Sequence, residues 1–313
     1  MNEARYRKAE RRLWASLGVS PTERRLHLSH SGVGVRVQEV GEGPAVVFVH
    51  GGSNSGTSWA PLVAQLEDFR CILLDRPGCG LSDPLATNFD NVERLGAFAD
   101  ALIVDVLDAM GLDSAHVVST SFGGYMALRS AAAHPARIGR MVEFGWSLGA
   151  PIARTPMVMR LAGIPLVGRA LASVPPNERA VKMILRNIGL RQALEAGRFS
   201  QEAIDWFLAQ LRDTNTMRNE IKAGPRLLTV FGGMNERLLL PKSLLASIHT
   251  PIHFLWGDED LYGGAEIARR FVGQIPNATL ELMPGAGHAV WMDDPDRAAS
   301  TTRGFLGQVS TPT

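Results

Sequence analysis

The chain has 313 residues, 32 Lys+Arg against 31 Asp+Glu, a formal net charge of +1 and an apolar fraction of 45%. That length admits one large domain or two smaller ones. The balanced charge excludes the strong positive field of a nucleic-acid binder and suits a small uncharged or apolar ligand. Only Cys71 and Cys79 carry thiols, which argues against a disulfide-built secreted scaffold and leads us to expect a cytoplasmic protein.

In chain order, the opening segment MNEARYRKAERRLWASLG lacks the apolar stretch of a secretory signal. It reads as a surface helix whose basic residues form a solvated face. RLHLSH and VGVRVQEV, separated by Ser31-Gly32, alternate as the strands of a short antiparallel hairpin do. From residue 45 the pattern changes to short β-branched or large apolar runs: AVVFVH (45–50), CILLD (71–75), AHVVS (115–119), RMVEFG (140–145), PIHFLWG (251–257) and ATLELMPG (278–285). Helix-length segments at 91–110 and 121–134 lie between the earlier runs. Strands alternating with helices predict an α/β fold, with a mostly parallel central sheet covered by helices on both faces.

The rhythm breaks between Gly145 and Pro251. Residues 151–240 show helical spacing, repeated arginines and Met157, Met159 and Met183, with little that resembles a strand. This predicts a helical cap inserted over the carboxyl ends of the strands, where open α/β sheets bind ligands. The expected organisation is a core of residues 1–145 and 250–313, in which 1–24 form an N-terminal helical extension, and a cap of 146–249. The most lipophilic part of the cap, residues 149–174, is interrupted by Arg154, Arg160, Arg169 and prolines. It falls short of the ~18 uninterrupted apolar residues of a membrane span, so no stable membrane insertion is expected.

The stretch VVSTSFGGYMAL (117–128) ends a strand and starts a helix. A strained turn of this kind projects a serine when small residues flank it two before and two after. Ser121 fits that position, with Ser119 and Gly123 as its small neighbours. Serine needs a base and an orienting acid. Among eight histidines, His27, His30, His116 and His253 fall in the hairpin or in strands, His134 near a helix end and His249 just before a strand. His288, in the glycine-rich loop MPGAGHAVWMDDP after the last strand, is the candidate base. Asp260, in FLWGDEDLYGG directly after a strand, is preferred as the acid over Asp258, with Glu143 as the outsider. An oxyanion hole requires backbone N–H groups aimed at developing charge. Phe122, at the helix start, and Gly52, in the loop HGGSNSGTSW, are the candidates. No G-K-[ST] follows that loop, so a phosphate loop is set aside, and His50 reads as a hydrogen-bonding support for it. Cys79 reads as a small loop residue. His27 and His30 are three apart on a strand and point to opposite faces, so no metal site is expected.

Together the segments VVFVHGG, LLDRPGCGLSD, STSFGG, LWGDEDLY and GAGHAVWMDDPDR resemble, in order and spacing, those of the α/β-hydrolase superfamily, over most of residues 25–150 and 250–308. The resemblance implies Ser121 as nucleophile, Asp260 as orienting acid, His288 as general base, an oxyanion hole at Gly52 and Phe122, and no cofactor. There are departures. Ser119 replaces the usual glycine, and Thr120 stands where many esterases have His and many carbon–carbon bond hydrolases have Asn. Serine at 121, where epoxide hydrolases and dehalogenases have Asp, argues against both.

The leading expectation is therefore a serine hydrolase of carboxylic esters acting through an acyl-enzyme, with a small-molecule ester or related carbonyl compound as its partner. Ser53, Trp146 and Trp291 are expected to contact the substrate. The alternatives are hydrolysis of a carbon–carbon bond in a ring-fission diketone, suggested by the likeness of HGGSNSGTSW to the glycine-rich loop of those enzymes, and lactone hydrolysis or acyl transfer. A non-catalytic ligand receptor on this fold is the reading outside enzymes. A homodimer stays open.

Overall fold

Alternation of side chains builds the sheet from the central runs. Val47, Val49, Ile72 and Leu74 bury on one face and Val46, Phe48, Cys71 and Leu73 on the other, so these strands carry no solvent face, as a covered parallel sheet demands. The computed structural model describes residues 1–85, 89, 91–152, 176–223 and 235–308. Arg154, Met157, Met159, Arg160 and Arg169 lie outside the described residues. The strands are β1 Thr22–Leu28, β2 Val33–Val40, β3 Ala45–Val49, β4 Arg70–Leu74, β5 Ala115–Thr120, β6 Ile138–Ser147, β7 Ile252–Gly257 and β8 Ala278–Met283. They form an eight-stranded sheet in the order β1-β2-β4-β3-β5-β6-β7-β8. β1 with β2 and β2 with β4 pair antiparallel, and the remaining neighbours pair parallel. The expected mostly parallel α/β sheet is the observed one.

One face is covered by α3 (Val92–Met110), α4 (Ser121–Ala133) and α10 (Ala265–Val272), whose apolar residues join a cluster with the strands. Helix α3 starts where the Asn91 side chain accepts a hydrogen bond from the Arg94 N–H, and it stops at Gly111 in a left-handed conformation (φ 68°), the usual glycine terminus. The other face carries α1 (Glu3–Ser16), α2 (Ala60–Val63), α11 (Val290–Asp293) and α12 (Pro295–Leu306). Between β6 and β7 the described residues are helical: α5 Glu178–Asn187, α6 Arg191–Glu195, α7 Gln201–Asp213, α8 Thr216–Ala223 and α9 Lys242–Ala246, with a short 3-10 turn at Glu236–Leu238. Among the described residues, no helix is long and apolar enough to cross a membrane.

Helix α1 departs from the expected solvated surface helix. Arg5, Lys8, Arg11 and Arg12 are exposed as anticipated, but Tyr6, Glu10, Leu13 and Trp14 are buried. The reason is the apolar stripe at spacings of three and four, which the density of charge conceals. The helix lies against α7. The Tyr6 hydroxyl meets Ser55 Oγ at 3.0 Å and receives the indole N–H of Trp206 at 3.4 Å. Glu10 forms a bidentate pair with the buried Arg36. Arg36 also reaches Glu23 at 2.8 Å and Asp75 at 3.3 Å, and Asp75 accepts the Gly56 N–H at 2.7 Å. The N-terminal helix is thus wired to the loop after β3.

Removing one partner of a buried ion network leaves the others unpaired. Arg36→Met is expected to destabilise the fold by about 3–5 kcal/mol, read as a lower urea midpoint with an unchanged denaturant slope. A loss below ~1 kcal/mol would mean that the network contributes no more than a surface pair.

Candidate active site

The turn from β5 into α4 carries the local strain expected of a projected serine. Ser121 has φ 54°, one of two non-glycine residues with positive φ among those described, a conformation costing about 1–3 kcal/mol. Gly123 permits the turn, because a Cβ there would stand 2.1 Å from the Val49 carbonyl oxygen. Ser121 is also the first residue of α4, so the Phe122 N–H belongs to the unpaired, positive end of a helix. The loop after β3 passes beside it, and a Cβ placed on Gly51 would lie 2.9 Å from that of Ser121. Gly52, the second proposed oxyanion donor, follows directly.

Asp260 and His288 meet at the same sheet edge. Asp260 Oδ2 lies 2.8 Å from His288 Nδ1 and accepts the Trp146 N–H at 2.9 Å, while Oδ1 accepts the Tyr262 N–H at 3.0 Å. Both residues are buried. A proton on Nδ1 is the one this carboxylate accepts, which leaves Nε2 as the acceptor nitrogen of the ring. Gly145, at the end of β6, connects these parts. Its φ is 68°, and a Cβ there would press on the His288 carbonyl at 2.4 Å and on Asp260 Oδ2 at 3.3 Å. Asp258 instead accepts the Gly285 N–H at 2.7 Å and so supports the histidine loop. The His288 N–H donates to the Ile188 carbonyl at 3.0 Å, tying that loop to the end of α5.

The imidazole has aromatic walls. Tyr262 meets it edge-on, with ring centroids 4.7 Å apart, and Trp146 stacks on Tyr262 at 4.9 Å. Burial and the neighbouring Asp260 push the Tyr262 phenol up to about 12. Trp146, expected at the substrate, lies 6.4 Å from the His288 ring centroid and donates its indole N–H to the Pro151 carbonyl at 3.0 Å. Trp291, equally buried, lies 4.6 Å from the Trp59 ring and donates to the Ser58 carbonyl at 3.3 Å. Thr120 is buried, with its hydroxyl on the Phe144 carbonyl at 2.6 Å. His50 is a buried strut: it faces the Gly51 carbonyl through Nδ1 and receives the Arg76 N–H on Nε2 at 3.0 Å. Burial and the Arg76 charge hold its pKa well below the usual range. Among the described residues no group of three or more His, Cys, Asp or Glu side chains could hold a metal ion.

Three residues that sequence reasoning passed over stand close to these groups. Tyr262 follows Asp260 by two, a spacing that was readable. Arg76 sits in LLDRPGCG. It donates to the His50 carbonyl at 2.9 Å and the Gly51 carbonyl at 2.8 Å, with its guanidinium 4.7 Å from the Phe122 ring centre. Glu220, from α8, reaches Arg76 at 2.6 Å and Ser53 Oγ at 2.9 Å. Nothing in its local sequence marks it.

Glu143 lies beneath the serine turn rather than beside His288. It accepts hydrogen bonds from the Ser119 and Ser147 hydroxyls, the latter at 2.7 Å. Complete burial pushes its carboxyl up to about 7 against the lowering by these two donors. A folded-state value above the unfolded one means that stability is full below about pH 4.5 and declines as pH rises through about 7. The wild-type minus Glu143→Gln difference in unfolding free energy is therefore expected to fall by about 3 kcal/mol between pH 4.5 and 8, measured by urea titration at several pH values. A flat difference would place the carboxyl in its ordinary range.

A model of the alpha/beta hydrolase family matches residues 46–301. Among curated relatives, a 2-hydroxy-6-oxononadienedioate/2-hydroxy-6-oxononatrienedioate hydrolase of Cupriavidus pinatubonensis is 29% identical, with 86% of each chain covered. A 2-hydroxy-6-oxo-6-phenylhexa-2,4-dienoate hydrolase of Burkholderia cepacia is 28% identical, over 93% of this chain and 98% of the other. Among solved structures, the carboxylesterase CesB of Bacillus subtilis superposes with a TM-score of 0.75 at 18% identity, covering 98% and 99% of the two chains. This last likeness speaks to the fold alone.

Proposed function

The chain belongs to the alpha/beta hydrolase family, and from that premise we propose that it hydrolyses a carbon–carbon bond in a ring-fission diketone, with Ser121, His288 and Asp260 as its triad. The choice of bond reverses the leading expectation of an ester. It rests on the relatives named above, which carry carbon–carbon substrates in their names and align over most of the chain. The observations that support the chemistry are the Asp260–His288 pair at 2.8 Å and, at the carboxyl end of β5 in the same sheet, a serine in a left-handed turn.

The steps follow from these groups. In a 2-hydroxy-6-oxo-2,4-dienoate, direct expulsion of C5 would leave a vinyl carbanion. Once the 2-hydroxyl proton has moved to C5, cleavage of C5–C6 instead leaves a dienolate whose charge reaches the C2 oxygen. His288 Nε2 takes the Ser121 proton as Oγ attacks the C6 carbonyl, and the N–H groups of Phe122 and Gly52 receive the oxyanion. Collapse breaks C5–C6, and His288 returns the proton to the departing dienolate. A water deprotonated by His288 then attacks the acyl-serine, releasing the acid and restoring the Ser121 hydroxyl. Asp260 keeps the imidazole in the tautomer that both halves need. The helical segment between β6 and β7 acts as a cap over this edge.

Ester hydrolysis is the second reading. It is favoured by Thr120, whose hydroxyl is committed to the Phe144 carbonyl and whose methyl turns toward Gly51, 3.6 Å from a Cβ placed there, so that the flank of the serine is apolar. The test is purified protein with 2-hydroxy-6-oxo-6-phenylhexa-2,4-dienoate and with p-nitrophenyl butyrate under matched conditions. Loss of the dienol absorbance with benzoate as product, at a higher kcat/KM than for the ester, is the expected result. Ester turnover with an inert diketone would transfer the assignment to the second reading.

A further inference from the structure

A carboxylate of the chain closes on the loop after β3, next to the proposed oxyanion donor Gly52. Glu220 Oε2 accepts both the backbone N–H and, at 2.9 Å, the hydroxyl of Ser53, and Oε1 accepts from Arg76 Nη2 at 2.6 Å. The Cys79 thiol lies 3.5 Å from Oε1. A Cβ on Gly52 would come 3.6 Å from Oε2, so the carboxylate borders the proposed oxyanion donor. Ser53 adopts φ 52°, which turns its N–H and O–H onto one acceptor, and Arg76 is buried against Phe122. A backbone donor, a hydroxyl and a buried guanidinium converging on one carboxylate make a strong anion seat. The occupant comes from α8, the only described helix between β6 and β7 that reaches it.

We propose that Glu220 is a specificity-determining residue: by filling the Ser53–Arg76 seat it requires the substrate group that reaches Ser53 to be uncharged. This rests on the reading of Ser121 as the nucleophile. A second carboxylate brought to the seat would meet Glu220 at close range, with the Ser53 N–H and O–H and Arg76 Nη2 already engaged, and like charges in a part-buried site repel. With the C6 substituent of a ring-fission diketone as the group at Ser53, the substrate class is a monocarboxylate whose far substituent is an aryl or alkyl group, and a dicarboxylate is rejected. With Glu220 shortened, the same donors are left facing a space the size of a carboxylate.

Two readouts separate this inference from the assignment of the reaction. The first needs no turnover: thermal unfolding of wild type and Glu220→Ala in sodium formate against sodium chloride of equal ionic strength. Formate is expected to raise the Tm of the variant in a saturable way, as a ligand of the native state does, and to leave wild type unmoved. The second compares kcat/KM for p-nitrophenyl butyrate with that for the mono-p-nitrophenyl ester of glutaric acid. The ratio of anionic to neutral ester is expected to rise by about tenfold or more in Glu220→Ala and in the shape-preserving Glu220→Gln. No formate response together with an unchanged ratio overturns the proposal. If Glu220→Ala does not fold, an unchanged ratio in Glu220→Gln does so alone. Failure of every enzyme form to cleave either ester or diketone counts against the hydrolase reading, while the formate response still decides the seat.

Discussion

Ser121→Ala is expected to lower kcat/KM by at least ~10⁴-fold on whichever carbonyl substrate the chain cleaves, with little change in substrate binding, because the hydroxyl makes its bond only as the reaction proceeds. The size follows from the division of labour in a triad. Without the nucleophile, the base and the oxyanion donors retain only the residual catalysis that binding and electrostatic stabilisation supply. The substitution also removes nothing from the core, since the strained backbone at φ 54° is held by Gly123 against Val49 and by the Leu148 N–H on the Ser121 carbonyl at 3.0 Å. The variant should therefore unfold near the wild-type temperature. Single-turnover kinetics and a melting curve on the same preparation check both halves. Retention of a tenth or more of the activity would show that Ser121 is not the attacking group.

Asp260→Asn is expected to have the next largest effect, about 10⁴-fold in kcat. The carboxylate accepts from three donors, His288 Nδ1–H and the N–H groups of Trp146 and Tyr262. An amide keeps the shape but offers one oxygen and one NH₂ in place of two acceptors. Either a backbone N–H loses its partner, or the imidazole turns its acceptor nitrogen to the amide and its proton to Ser121, where it can no longer act as base. The loss should be smaller at alkaline pH, where hydroxide replaces the general base in releasing the acyl group. A pH–rate profile of the variant beside wild type measures this. A loss below ~10-fold would mean that Glu143 or another carboxylate orients His288, although Glu143 is occupied by Ser119 and Ser147.

The parts of this site that could be read from sequence are those at strand ends. Ser121 directly follows β5, Asp260 comes three residues after β7 and His288 five residues after β8, and parallel strands deliver their carboxyl ends to one edge, so local pattern was enough to propose all three at that edge, where Asp260 and His288 meet. Thr120 illustrates the limit of pattern: its hydroxyl turned back to Phe144, which depends on the pairing of β5 with β6. Glu220 lay beyond reach for the same physical reason, because a helix inserted between β6 and β7 has no strand to set its register against Ser53. The N-terminal helix misled through composition. Its many charges face water, while Tyr6, Glu10, Leu13 and Trp14 form a narrow buried stripe, and the partner that buries them, α7, is remote in sequence. Trp291 was expected at the substrate because aromatic residues near a base invite that reading, and it contacts the Trp59 ring and the Ser58 carbonyl.

The most direct test of the central assignment is covalent. Incubation of the native protein with a fluorophosphonate, followed by proteolysis and mass spectrometry, is expected to place one phosphonyl adduct on Ser121. The adduct should be absent in Ser121→Ala and form far more slowly in His288→Ala, since the base must first take the proton. An adduct on Ser119, Ser53 or another residue, or labelling at an undiminished rate without His288, would contradict the triad.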